Sequence, residues 1–121
     1  MIFKGSIPAV VTPFDKKLNV DFDALANHIE YLVDSGSHGL VSCGTTGESP
    51  TLSHEEHKLV TEFIIKKVGG RIPVMAGCGS NSTKESVELT KHANSVGASG
   101  NLLVTPYYNK PTEEGLYNHF K

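Results

Sequence analysis

The sequence is poor in cysteine. It has two, Cys43 and Cys78, with no CxxC pair and no metal-ligand spacing. That excludes a disulfide-stapled scaffold and a cysteine zinc site. It reads as a reduced cytosolic chain, with one structural disulfide between neighbouring strand ends as the alternative. An export signal is also lacking: Met1-Ile2-Phe3-Lys4-Gly5 has no apolar h-region and no cleavage pattern. No apolar run approaches the roughly 20 residues of a membrane helix, so no membrane partner is expected. Charge of one sign is missing too. The net value is −2, with lysines and acids interleaved, and this gives no surface for nucleic acid or anionic lipid. The length of 121 residues suits one domain and is too short for two.

What is present is a repeat of strand, polar loop and helix. Apolar runs at 7–11, 40–43, 73–76 and 102–104 read as strands. Because they do not alternate with polar residues, burial on both faces is expected, as in a parallel sheet covered by helices. Asp21 caps a first helix with Leu25, Ile29, Leu32 and Val33 on one face, stopped at Gly36. Ser53 and Glu56 form a capping box for a second helix that buries Leu59, Val60, Phe63 and Ile64 and stops at Gly69-Gly70. A second capping box, Ser82 with Glu85, opens a helix reaching Val96. Thr112 opens a last one, with Leu116 and Phe120 sharing a face. The unit recurs about every 30 residues, as βα units do.

Four such units make about half of a (β/α)8 barrel, which takes about 250 residues. Residues 1–121 are therefore expected to form the N-terminal half of a single α/β barrel domain. The first and fourth strands would then have open edges. The sequence reaches Lys121 inside a helix. This reads as a truncated chain or an interrupted frame, with pairing of two copies or a small open sheet as the other outcomes.

Ligands of parallel α/β folds sit at the C-terminal strand ends. Three loops there carry glycines, hydroxyls and phenols. In Gly44-Thr45-Thr46-Gly47-Glu48-Ser49, two hydroxyls and successive backbone N–H groups suit one carboxylate or phosphate. A polar turn with a glycine bend is the other reading, and no Lys-Ser/Thr pair makes it a P-loop. The loop Gly77-Cys78-Gly79-Ser80-Asn81-Ser82 lacks the third glycine and the downstream acid of a dinucleotide fingerprint. In Thr105-Pro106-Tyr107-Tyr108-Asn109 a tyrosine serves either packing, which the pattern alone favours, or proton transfer. His54 and His57 lie one turn apart. They read as a solvated first turn in preference to a metal pair, since the zincin spacing is absent. The remaining histidines, His28, His38, His92 and His119, have no sequence neighbours that point to a role. No Ser/His/Asp arrangement is recognisable. No lysine falls within a strand where a desolvated Schiff-base amine would form, and Lys110 lies in a loop open to water.

Together, Gly44-Thr45-Thr46-Gly47-Glu48-Ser49 and Thr105-Pro106-Tyr107-Tyr108-Asn109-Lys110-Pro111 resemble the dihydrodipicolinate synthase family. That family stands within the wider pyruvate-dependent lyases and aldolases that include N-acetylneuraminate lyase. The opening Gly5-Ser6-Ile7-Pro8 with Val11-Thr12-Pro13-Phe14 fits as well, so the resemblance runs the length of the chain. It implies a TIM-type (β/α)8 barrel, a homotetramer built as a dimer of dimers, in the cytoplasm of a lysine-making organism. It further implies a lyase that condenses pyruvate with L-aspartate semialdehyde through a lysine Schiff base, with no metal and no organic cofactor. Carried over by position, Thr45 matches a proton-relay hydroxyl and Thr46 the group holding the pyruvate carboxylate. Tyr108 matches a relay phenol that reaches a neighbouring subunit's site. Ser49, His54, His57, Asn81, Glu85 and Tyr107 match the ligands of an L-lysine feedback site, where Pro50 departs from the small residue expected. The family's Schiff-base lysine, second relay tyrosine and site-mouth arginine lie downstream of residue 121. The resemblance therefore implies a chain inactive alone, the alternative being a non-catalytic fragment that binds lysine or a partner subunit.

Overall fold

The structure, a computed structural model, describes residues 3–121; Met1 and Ile2, part of the start read above for a leader, lie outside them. Three parallel strands stand in chain order: β1 (Leu40–Ser42), β2 (Val74–Gly77) and β3 (Gly100–Leu102). Leu40 pairs with Val74 and Ser42 with Ala76; Met75 pairs with Gly100 and Gly77 with Leu102. The helices are α1 (Phe22–Asp34), α2 (His54–Val68), α3 (Thr83–Ser95) and α4 (Glu113–Phe120), with a short 3-10 turn at Ser49–Thr51. Helices α2 and α3 are the crossovers between successive strands, as parallel pairing requires.

The expected first strand, 7–11, does not join the ladder as a strand. It lies beside β1 in parallel orientation through a bridge of Ala9 to Val41. The Val10 amide donates to the Val41 carbonyl at 2.9 Å, and the Val41 amide to the Pro8 carbonyl at 3.0 Å. Pro8 has no N–H to contribute, which shortens the pairing. The spatial order of the four segments is nevertheless their sequence order.

The caps follow local chemistry. Asp21 accepts from the Ala24 amide at 2.9 Å, and Thr112 from the Gly115 amide at 3.1 Å. Ser53 and Glu56 complete their box, with the Ser53 amide donating to the Glu56 carboxylate at 2.8 Å. The second box is only half formed. Ser82 accepts from the Glu85 amide at 3.5 Å, but the Glu85 carboxylate accepts from the Ser80 hydroxyl at 2.7 Å instead of turning back to residue 82. Helix α1 ends in Ser35, followed by Gly36 in the left-handed region, and α2 ends in Gly69 likewise.

The main core packs α1 and α2 on β1 and β2 through Leu25, Ile29, Leu40, Val60, Ile64, Val68 and Val74. A smaller cluster under α3 holds Ala76, Cys78, Leu89 and Ala93. Two expectations fail here. Leu59 is 54% exposed, because α2 turns the His57, Val60, Thr61, Ile64 face inward and leaves Leu59 to one side. Strand β3 starts two residues earlier than expected, and Leu102, Leu103 and Val104 are exposed and not buried on two faces.

Candidate functional site

The loops leaving β1, β2 and β3 meet at the C-terminal edge of the sheet. Four non-glycine residues there adopt left-handed backbone: Cys43 (φ 48°), Glu48 (φ 55°), Tyr108 (φ 71°) and Lys110 (φ 39°). Each such residue costs about 1–3 kcal/mol, and clusters of them mark ligand sites. The Gly44–Ser49 segment is tied down from below. Buried Thr12 donates its hydroxyl to the Gly47 carbonyl at 2.7 Å, and a side chain at Gly47 would meet the Val10 carbonyl.

A cavity of about 290 Å³ opens over this segment, lined by Cys43, Gly44, Thr45, Gly77, Leu103 and Tyr107 among others. Thr45 is therefore placed on a concave surface at the strand ends. Thr46 is exposed and lines neither this cavity nor its neighbour. Tyr108 also lines neither of the two and is 96% exposed, so Thr45 and Tyr108 are not brought onto one cavity wall.

The neighbouring cavity, about 190 Å³, gathers Ser49, His54, His57, Glu85 and Tyr107, with Pro50, Leu52, Ser80 and Leu89. Five of the six residues matched to a lysine site thus share one enclosure. Asn81 stands outside it but fixes one wall: its carboxamide donates to the Tyr107 carbonyl at 3.2 Å, and its own carbonyl accepts from the Asn109 carboxamide at 3.2 Å. His54 Nε2 stands 3.7 Å from a Glu85 carboxylate oxygen. His57 is not solvated, contrary to the first-turn reading. It is buried, and its Nε2–H donates to the Gly77 carbonyl at 2.7 Å. Burial holds its pKa below the usual histidine value; the Gly77 bond opposes that, and the charges of His54 and His92 add to it. The other histidines read as without neighbours have structural ones, such as His92 on the Lys58 carbonyl at 3.2 Å and His119 on the Thr83 hydroxyl at 2.8 Å.

Both cysteines are free and buried. Burial pushes the Cys43 thiol up to about 11 against a lowering bond from Thr61, and burial also raises Cys78. Neither is poised as a nucleophile. Among the described residues no group of three or more His, Cys, Asp or Glu could hold a metal, no helix is long and apolar enough to cross a membrane, and no lysine is buried or in a strand. Sequence reasoning placed Thr12, Gly77 and Ser80 within its motifs but gave none of them a role of its own. Thr12 had a signal, a hydroxyl at the end of an apolar run. The other two act through contacts distant in the chain or competing with a cap.

A parallel βα array with its loops gathered at the C-terminal strand ends has the architecture of the opening units of a (β/α)8 barrel. The model of the dihydrodipicolinate synthetase family matches residues 2–121, and the chain belongs to that family. A 4-hydroxy-tetrahydrodipicolinate synthase of Rhizobium meliloti is 57% identical over 119 residues, covering 98% of this chain and 40% of the relative. The crystal structure of dihydrodipicolinate synthase from Aquifex aeolicus superposes with a TM-score of 0.95 at 58% identity, over 98% of this chain and 40% of that one. A chloride-inhibited dihydrodipicolinate synthase from Acinetobacter baumannii, complexed with pyruvate, gives 0.95 at 52% identity over 99% and 41%. The chain thus spans about 40% of the length of the curated relatives it matches.

Proposed function

We propose that these residues supply the carboxylate-binding and proton-relay part of a 4-hydroxy-tetrahydrodipicolinate synthase, a lyase joining pyruvate to L-aspartate semialdehyde on the way to diaminopimelate and lysine. The observation that carries the reading is Thr45 on a cavity at the C-terminal strand ends, on a loop locked by Thr12, in a chain of this family. The relative complexed with pyruvate supports the choice of ligand.

In this reading the Thr46 hydroxyl and backbone N–H hold the pyruvate carboxylate, since preorganised donors favour an anion without reorganising. The Thr45 hydroxyl passes a proton between phenols. Tyr108 serves as one phenol by projecting from its own subunit into a neighbour's site, for which a 96% exposed side chain on a constrained backbone is suited. The covalent step needs a nucleophilic amine. A free lysine amine adds to the pyruvate carbonyl and water leaves, giving the imine; loss of a methyl proton gives the enamine that attacks the aldehyde. No lysine among the described residues has the burial that lowers an ammonium pKa, so none of them is assigned as that amine. Assembly as a homotetramer in the cytoplasm is part of the same proposal.

The second cavity favours an L-lysine effector. Glu85 offers a carboxylate to an ammonium group, His54 and His57 offer ring nitrogens, and Ser49 and Tyr107 add polar atoms. Pro50 contributes a carbonyl but no N–H. A fragment that binds lysine without catalysis is the second reading, favoured by how nearly complete this cavity is. Calorimetry on the chain separates the ligands. L-lysine is expected to bind at the Glu85 cavity and to lose at least tenfold in affinity in Glu85→Gln, whereas pyruvate binding is expected to depend on Thr46. Lysine binding unaffected by Glu85→Gln would contradict the assignment.

A further inference from the structure

The segment after β3 carries a strained turn. The Asn109 amide donates to the Tyr107 carbonyl at 2.9 Å, and Tyr108 between them has φ 71°. A bond across one residue at that φ marks the γ-turn of positive φ, which is rare and strained. Tyrosine has none of glycine's tolerance for it. Two further bonds reach the turn, and both involve Asn81, the residue before the N-cap of α3. The Asn81 carboxamide donates to the same Tyr107 carbonyl, and the Asn109 carboxamide donates to the Asn81 backbone carbonyl, each at 3.2 Å. No other hydrogen bond among the described residues engages 107–110. Beyond the turn Lys110 also has positive φ (39°), and Pro111 has no N–H to anchor it. Asn81 is itself fixed: Ser82 caps α3, and the Ser82 amide donates to the Ser80 hydroxyl at 3.0 Å.

We propose that Asn109 and Asn81 are positioning residues that hold Tyr108 in this turn and so fix the direction of its phenol. What the phenol does rests on the relay reading; the clamp does not. The two carboxamide bonds are together of the same order as the strain of one such turn, so removing either is enough to release it. Asparagine suits both positions, since a short carboxamide brings an N–H donor to a nearby backbone carbonyl. The consequence is for reach. A relay phenol that enters a neighbouring subunit's site has few directions that serve, and Tyr108, 96% exposed, has little packing of its own to choose one. The clamp sets that direction from the backbone in advance, which lowers the ordering cost of docking.

The test is NMR on the isotope-labelled chain. In the parent, Tyr108 is expected to show the strong intraresidue Hα–HN NOE of a positive-φ residue, with order parameters of about 0.85 at the Tyr108 and Asn109 amides. Asn109→Asp keeps the size of the side chain and removes the donor. The NOE is then expected to fall to the level of negative-φ residues, and both order parameters to drop below about 0.6. Asn81→Asp, which removes the other donor, is expected to do the same. Thr83→Val cuts the bond of Thr83 to His119 (2.8 Å), which ties α3 to α4 without touching the turn, and should leave Tyr108 unchanged. Order parameters in α1 are the internal standard. Asparagine variants that loosen α1 and the turn alike would show a purely structural role and overturn the proposal. So would a Tyr108 signal that survives both variants, or one already absent from the parent. The relay reading is judged separately, by the activity of Tyr108→Phe in an assembled synthase. A relay that fails would show there and not in these spectra, so the two failures are distinct.

Discussion

Gly77 bears two constraints at once. Its carbonyl is held by His57, and its α-carbon is packed so closely on Cys43 that no side chain fits. Gly77→Ala is therefore expected to destabilise the chain by about 1–3 kcal/mol, the usual cost of overpacking, as read from the urea midpoint at unchanged slope. Beside it, Cys43 and Cys78 are buried thiols held protonated by desolvation, Cys43 to about 11. Both should resist N-ethylmaleimide at pH 8 in the folded chain and react fully in denaturant. Rapid native labelling would mean that the sheet edge opens far more readily than its packing indicates. At this scale the sequence told most where chemistry is local. The Asp21, Ser53 and Thr112 caps need only a neighbour three residues on, and each was legible. Glu85 matches the same pattern, but Ser80 captures its carboxylate and His54 stands opposite it, and those competitors are set by the fold.

Helix α2 shows how far periodicity carries. Val60 and Ile64, four apart, define the buried face together with His57, Thr61 and Val68. Leu59 sits about 100° around the helix from Val60, so counting apolar residues overstated the face. Strand β3 was misplaced for a similar reason: a three-residue apolar run marks a strand but not its ends. A polar clamp beside the apolar core also ties α1 to the end of α2, and it was not legible. Arg71 grips Glu30 with two nitrogens at 2.8 and 3.0 Å, and Lys67 Nζ lies 3.0 Å from the same carboxylate. Bonds from Arg71 first and Lys67 second hold the Glu30 carboxyl down from 4.5 to about 2. A depressed acid stabilises the fold above its unfolded value and loses that contribution as pH falls through the folded one. The stability gap between the parent chain and Glu30→Gln is thus expected to be constant above about pH 4.5 and to close on approach to pH 2. Because the pair is exposed, added salt should narrow the gap throughout. A gap independent of pH would remove Glu30 from the account.

As a molecule, the chain offers apolar surface that one more layer would cover. Val11, Leu102, Leu103 and Val104 are all at least 38% exposed, along the two outer segments of the sheet, and the last three line the Thr45 cavity. The parallel βα character of the fold was legible, because non-alternating strands and a unit of about 30 residues point to strands joined by helical crossovers. The division of the strand-end loops into two cavities was not. It depends on His57 reaching Gly77 across 20 residues of chain and on Ser80 lining the same wall. In the proposed function the Thr45–Thr46 loop holds a carboxylate and the Glu85 cavity a cationic amino acid, and no lysine among the described residues is buried or in a strand. Borohydride reduction in the presence of pyruvate, followed by intact mass and peptide mapping, tests that division most directly. The account predicts that the 121-residue chain gains no reduced pyruvate adduct. Stoichiometric adduct on a single lysine of this chain would contradict it.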